Sequence, residues 1–165
     1  MKRIFCLAAI VFSFLSASSQ DLTKFKLYKP GENAKEEIAL AVKKATDAGR
    51  HVMVQIGGNW CIWCARFNEF VANDKSLDSL VKSNYIVYHL NYSKENTNKD
   101  VLTKYAFPQR FGFPVFLVLN EKGELLHTQN TWYLESGKNY DKEKVTAFFN
   151  DWAKKAFDPV QYKEQ

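Results

Sequence analysis

The chain has 165 residues, of which 46% are hydrophobic, 15% aromatic and 25% charged. That balance excludes a disordered tail or a collagen-like repeat, and it supplies apolar material for one core rather than two ordinary domains. The net charge is +5, with two of the charges on Lys2 and Arg3; the surplus of about +3 beyond them is mild and unclustered, which argues against a nucleic-acid partner.

The first nineteen residues read as a secretory signal peptide. Lys2 and Arg3 form a basic start, Ile4 to Leu15 are apolar except for Ser13, and Ser16-Ala17-Ser18-Ser19 are small. This is the charged, apolar, small-residue order of an export signal. An apolar helix needs about 20 residues to span a bilayer, and this run is shorter, so stable membrane insertion is not expected. Ala17 and Ser19 suit the −3 and −1 positions of a cleavage site, which places the mature start at Gln20 or Asp21 and the single folded domain over 20–165. An uncleaved anchor is the competing reading. Cys6 leaves with the signal, so the exported chain keeps only Cys61 and Cys64 in an oxidising compartment, expected to be the periplasm.

Beyond residue 20, Phe25 to Tyr28 is a candidate edge strand. Residues 33–48 read as a helix, with Asn33 and Glu36 as a capping box, Ala34, Ile38, Ala41, Val42 and Ala45 at helical spacing, and Gly49 as its stop. His51 to Ile56 is a short, mostly apolar run and a candidate central strand. Residues 64–72 read as helical, with Phe67, Phe70 and Val71 on one side, and 74–82 as a second helical piece. Strands are expected at Tyr85–Asn91 and Val115–Leu119, a short helix at 100–105, and a turn at Asn120-Glu-Lys-Gly123 returning into a strand over 124–128. Residues 129–140 read as a polar loop carrying Trp132 and Tyr133. Asp141 caps a last helix with Val145, Phe148, Phe149, Trp152 and Ala156 as its buried stripe. The order β-α-β-α-β-α-β-β-α predicts an α/β domain with a central mixed sheet of four to five strands and helices on both faces.

The chemistry lies in Gly57-Gly58-Asn59-Trp60-Cys61-Ile62-Trp63-Cys64, between a strand and a helix. A helix N-terminus carries partial positive charge and unpaired N–H groups, and it stabilises a sulfur there as thiolate, lowering its pKa from about 8.5. Cys61 is the candidate nucleophile, and Cys64, one turn on, the candidate resolving thiol. Two plainer readings compete. A structural bridge closing so short a loop restrains the unfolded chain by only about 2 kcal/mol, against about 4.7 for a hundred-residue loop. Zinc needs four ligands, and the histidines at 51, 89 and 127 form no His-x₃₋₅-His pair. No G-x-G-x-x-G or G-x-x-x-x-G-K-[ST] signature is present, so no metal, flavin or nucleotide is expected, only a redox-active disulfide.

The strand, the Trp60-Cys-x-x-Cys64 helix start and Gly112-Phe113-Pro114 before the strand at 115–119 together resemble the thioredoxin-like superfamily. The likeness extends over roughly residues 33–157. Within it the chain is similar to exported single-domain members and to the C-terminal periplasmic domain of the membrane thiol:disulfide interchange reductase, through Trp60-Cys-Ile-Trp-Cys-Ala-Arg-Phe-Asn-Glu69. The resemblance implies a thioredoxin fold, thiol–disulfide exchange, and a cis peptide before Pro114 lying against the cysteine pair. It also implies a substrate surface at Trp60, Phe113 and Pro114; Trp63, which the family does not lead one to expect, joins that surface only as a second aromatic beside Cys61. Electrons then pass between protein thiols or disulfides and an upstream thiol protein, with reduction or relay as the direction and the chain a monomer. An oxidase or isomerase, and a non-catalytic binding module with a structural disulfide, are the alternatives.

The departures from the family carry their own expectations. Ile62-Trp63 replaces the usual Gly-Pro between the cysteines. Many members bury an acid six positions before the first cysteine; here Gln55 stands there, with His89 in place of its lysine partner, so His89 or water is the expected proton acceptor. Trp63 serves either a substrate platform or packing against the 129–140 loop. Phe113 is bulkier than the usual Ile, Val or Thr and is expected to narrow the cleft. His51 and His127 read as surface or strand-edge residues, and Asn91-Tyr92-Ser93 matches a glycosylation acceptor weakly.

Overall fold

The computed structural model describes residues 22–163; the expected signal peptide lies outside them. The central sheet has four strands, β1 (His51–Gly57), β2 (Tyr85–Asn91), β3 (Val115–Leu119) and β4 (Leu125–Asn130), in the order β2-β1-β3-β4. β2 runs parallel to β1, whereas β3 and β4 are antiparallel to their neighbours. Every residue of β1 and β3 is buried, which accounts for their near-continuous apolar runs: a strand covered on both faces has no polar side to show.

The alternation of side chains divides the core. Val52, Val54 and Ile56 of β1 and Val115, Leu117 and Leu119 of β3 face α1 (Ala34–Ala48) and α4 (Lys99–Lys104). Met53, Phe116 and Val118 face the opposite way, toward α2 (Ile62–Asn73), α3 (Lys75–Asn84) and α5 (Lys142–Asp151). Helices therefore cover both faces, as expected. Asn33 caps α1 through the Lys35 N–H, but Glu36 accepts from the Asn33 side chain rather than reaching back to its backbone. Gly49 ends the helix at φ 66°, a left-handed conformation that a Cβ disfavours. Asp74 and Asp141 cap α3 and α5 through two N–H groups each.

Several expectations are corrected. Residues 25–28 form no strand; the segment crosses the cysteine end of the sheet with Tyr28 turned inward. The 129–140 loop is structured, with a single 3-10 turn (Thr131–Leu134) and a small hairpin, β5 (Glu135–Ser136) with β6 (Asn139–Tyr140). α5 stops at Asp151, so Ala156 falls in a later 3-10 turn. His51 is buried rather than superficial, with Nδ1 2.9 Å from the Trp152 carbonyl. His127 stacks on Trp152 at 4.0 Å between ring centroids. Asn91 is buried and its amide donates to Ser93 and to the Asn96 carbonyl, so it offers no glycan site.

Candidate active site

β1 ends at Gly57, four residues follow with a turn at Asn59 and Trp60, and α2 begins at Ile62. Cys61 is the N-cap of α2, and its sulfur accepts from the Cys64 N–H at 3.1 Å. A side-chain acceptor at this position satisfies one of the unpaired N–H groups of the first turn. The same N–H, aided by the helix dipole, is placed to stabilise a Cys61 thiolate. Cys61 and Cys64 are joined as a disulfide with a Cα–Cα distance of 5.2 Å. Both cysteines are buried, Cys64 completely and Cys61 to 4% exposure, so the bond is presented under cover rather than on an open face.

The cover is aromatic. Phe113 precedes Pro114 through a cis peptide, and its ring stacks on Tyr92 at 4.8 Å and meets the edge of Trp60 at 5.5 Å. Trp60 is half exposed, and its indole N–H donates to the Tyr92 carbonyl at 2.8 Å. A Cβ on Gly58 would collide with the Trp60 ring, so this glycine gives the indole its seat. The Pro114 carbonyl accepts from the Thr131 hydroxyl at 2.6 Å, tying the cis-proline to the 3-10 turn. Trp63 is half-buried, packs edge-on against Tyr140 at 5.7 Å, and its carbonyl accepts from the Tyr140 hydroxyl. Packing against the 129–140 segment is therefore its structural environment, through Tyr140 rather than through Trp132 and Tyr133, which remain largely exposed.

Gln55 and His89 are brought together as register partners on β1 and β2. Gln55 is buried, and its amide donates to the Tyr28 hydroxyl at 2.9 Å. The His89 ring meets Tyr28 edge-to-face at 5.8 Å. Burial pulls the His89 imidazole down to a pKa of about 4, which makes it a weak acceptor for a thiol proton. Gln55, Phe67, Val71, Val87 and His89 line a cavity of about 210 Å3 between the sheet, α2 and α3, room for several waters at about 30 Å3 each.

Two residues of this site escape sequence reasoning. Tyr28 is 2% exposed and packs with Cys61 and Cys64. Asn59, two residues before Cys61, accepts from the Tyr28 N–H at 3.0 Å and donates to the Tyr28 carbonyl at 2.8 Å, pinning the lead-in segment across the site. These partners are 31 positions apart, and no local periodicity encodes such a contact. Among the described residues no group of three or more histidine, cysteine or acidic side chains is placed to hold a metal.

A mixed sheet with helices on both faces, a Cys-x-x-Cys disulfide at the start of a helix and a cis Phe113–Pro114 bond whose Phe113 packs on the cysteine pair define a protein of thioredoxin fold and oxidoreductase type. A family model described as thioredoxin-like matches residues 33–121, more than half of the chain, and the chain belongs to that family. Among solved structures it is similar to a disulphide isomerase from Xylella fastidiosa Temecula1, with TM-score 0.66 and 18% identity over 75% of this chain and 94% of that one. It is also similar to the DsbD C-terminal domain of Neisseria meningitidis in the oxidised form, with TM-score 0.50 and 15% identity over 72% and 91%. At such identities the likeness is one of fold. No curated protein matches the chain significantly.

Proposed function

We propose that this protein is an exported, periplasmic thiol–disulfide oxidoreductase that reduces, or relays electrons to, the disulfides of other exported proteins. The observation that carries the reading is the Cys61–Cys64 disulfide at the N-terminus of α2, where the reduced form gains a stabilised Cys61 thiolate. That thiolate attacks a substrate disulfide and displaces one substrate sulfur. Cys64 then loses its proton, attacks the Cys61 sulfur and releases the second substrate thiol, leaving the Cys61–Cys64 bond. Two electrons pass to the substrate, and an upstream thiol protein restores them. Water suits the role of proton acceptor better than His89, whose burial opposes the imidazolium. Trp60, Phe113 and Pro114 form the substrate surface, and the backbone at Phe113 is offered to an extended segment. Export rests on the basic and apolar order of residues 1–19; among the described residues no helix is long and apolar enough to cross a membrane.

The deciding measurement is the reduction potential of the pair, read by tryptophan fluorescence in defined thiol buffers. A value around −270 mV is expected for a reductant of exported proteins. One around −120 mV makes the protein a disulfide donor, and one well below −300 mV makes the bond structural and the protein a binding module.

A further inference from the structure

The family's usual acid behind the resolving cysteine is absent, and Gln55 occupies its place without the capacity to ionise. What fills the space in front of Gln55 is the hydroxyl of Tyr28. The geometry points to Tyr28 as the hydrogen-bond donor that stabilises the Cys64 thiolate during resolution, delivered from the lead-in segment and oriented by Gln55.

Three observations converge. First, the Tyr28 hydroxyl and the Cys64 sulfur border the same small space over the bare Cα of Gly57: a Cβ there would lie 2.7 Å from the hydroxyl and would collide with the sulfur. Second, the Tyr28 oxygen is already an acceptor, from Gln55 Nε2 at 2.9 Å. Its own hydrogen is thus left to donate, and none of the described hydrogen bonds uses it. Third, the backbone of Tyr28 is held on both sides by Asn59, which belongs to the cysteine turn itself, so the hydroxyl and the sulfur are referenced to one short piece of chain. Burial keeps the phenol far above its ordinary range; it remains a donor, not a base, at every pH where thiols exchange.

The inference rests on the exchange chemistry proposed above. In the mixed disulfide, Cys64 gives its proton to solvent water, and the Tyr28 O–H bonds to the thiolate left behind. The thiolate electron pair forms the bond to the Cys61 sulfur, the bond from Cys61 to the substrate breaks, and the departing substrate sulfur takes up a proton. The bond to Tyr28 lapses as the negative charge leaves Cys64. The titratable groups around this sulfur and its donor are Cys61 on α2, Tyr28 from the lead-in, His89 on β2 behind Tyr28, and Tyr140 on β6, which bonds the Trp63 carbonyl and interacts electrostatically with Tyr28; Gln55, Gly57 and Phe113 bring none.

The test separates the two steps. Reduced protein is mixed with 5,5′-dithiobis(2-nitrobenzoate), whose coloured thiolate leaves once when Cys61 attacks and again when Cys64 resolves; the second phase is intramolecular and independent of reagent concentration. Tyr28→Phe is expected to leave the first phase unchanged, to slow the second about tenfold at neutral pH and to move its pH midpoint up by about one unit, the worth of one hydrogen bond to a charged group. Gln55→Leu, which keeps the Tyr28 ring but removes the amide that orients its hydroxyl, is expected to slow the same phase; it supplies an independent arm should Tyr28→Phe melt early. His89→Gln is expected to leave the midpoint in place. An unchanged second phase in both the Tyr28 and the Gln55 variants, or a midpoint shift in His89→Gln equal to that of Tyr28→Phe, overturns the role of Tyr28. A wild-type protein whose cysteines react only after unfolding overturns the exchange chemistry itself.

Discussion

At the scale of single residues, Phe113 and Asn59 have effects that the cysteine motif does not announce. Phe113 roofs a disulfide whose first cysteine is only 4% exposed. In the reduced protein, Phe113→Ala is expected to speed the reaction of Cys61 with iodoacetamide severalfold. It should also cost on the order of 1–3 kcal/mol in stability, because the ring's contacts with Tyr92 and Trp60 are lost. A labelling rate no faster than wild type would mean that other groups control access. Asn59→Ala removes both hydrogen bonds to the Tyr28 backbone, with an expected loss of about 2 kcal/mol in urea unfolding. The cysteine pair is legible in the sequence because its meaning is local, a helix start, whereas the cis bond before Pro114 is reached only through the family resemblance, a proline before a buried strand being compatible with trans as well. Tyr28 was opaque because its meaning is a contact made 27 and 31 positions away, with Gln55 and Asn59.

Among the elements, β1 carries the tightest constraint. Its last residue, Gly57, is bordered by the Cys64 sulfur, and a Cβ there would lie 2.7 Å from the Tyr28 hydroxyl and 3.0 Å from Cζ of its ring. Gly57→Ala is expected to push Tyr28 or Cys64 out of place and to lower stability by about 1–3 kcal/mol, the range for overpacking a filled interior. Denaturant midpoints with and without Tyr28→Phe should then be non-additive, because the two changes share one space. Elements with strong periodicity, α1, β2 and β3, were read almost to the residue. The segment 25–28 reads as a strand because alternating Phe25 and Leu27 mimic one, yet the Phe25 N–H bonds to the Leu22 carbonyl and the Tyr28 backbone to the Asn59 side chain instead of to a neighbouring strand. The hairpin β5–β6 was missed because two-residue strands are too short to show a period.

For the whole molecule, acid sensitivity follows from the buried imidazole of His89. In the folded chain its pKa is about 4, against about 6.5 when exposed, and the cause is burial. The unfolded chain therefore binds the extra proton first. Stability from this group is complete above about pH 6.5, declines as pH falls, and is gone near pH 4, a change of up to about 3 kcal/mol. His89→Leu is expected to flatten that part of the pH–stability curve; an equally steep curve in the variant would assign the acid sensitivity to other groups. The overall architecture was legible because helix and strand periods, and the polar punctuation between them, agree with one another along the chain.

The placement of the lead-in segment has a practical outcome for anyone handling the protein. Phe25 packs on the cysteine cluster, and three residues of chain reach at most about 11 Å. An affinity tag joined ahead of Leu22 therefore starts within reach of the disulfide. A fusion at that end would crowd the mouth of the site and distort any assay of docking, so a purification handle belongs at the opposite terminus.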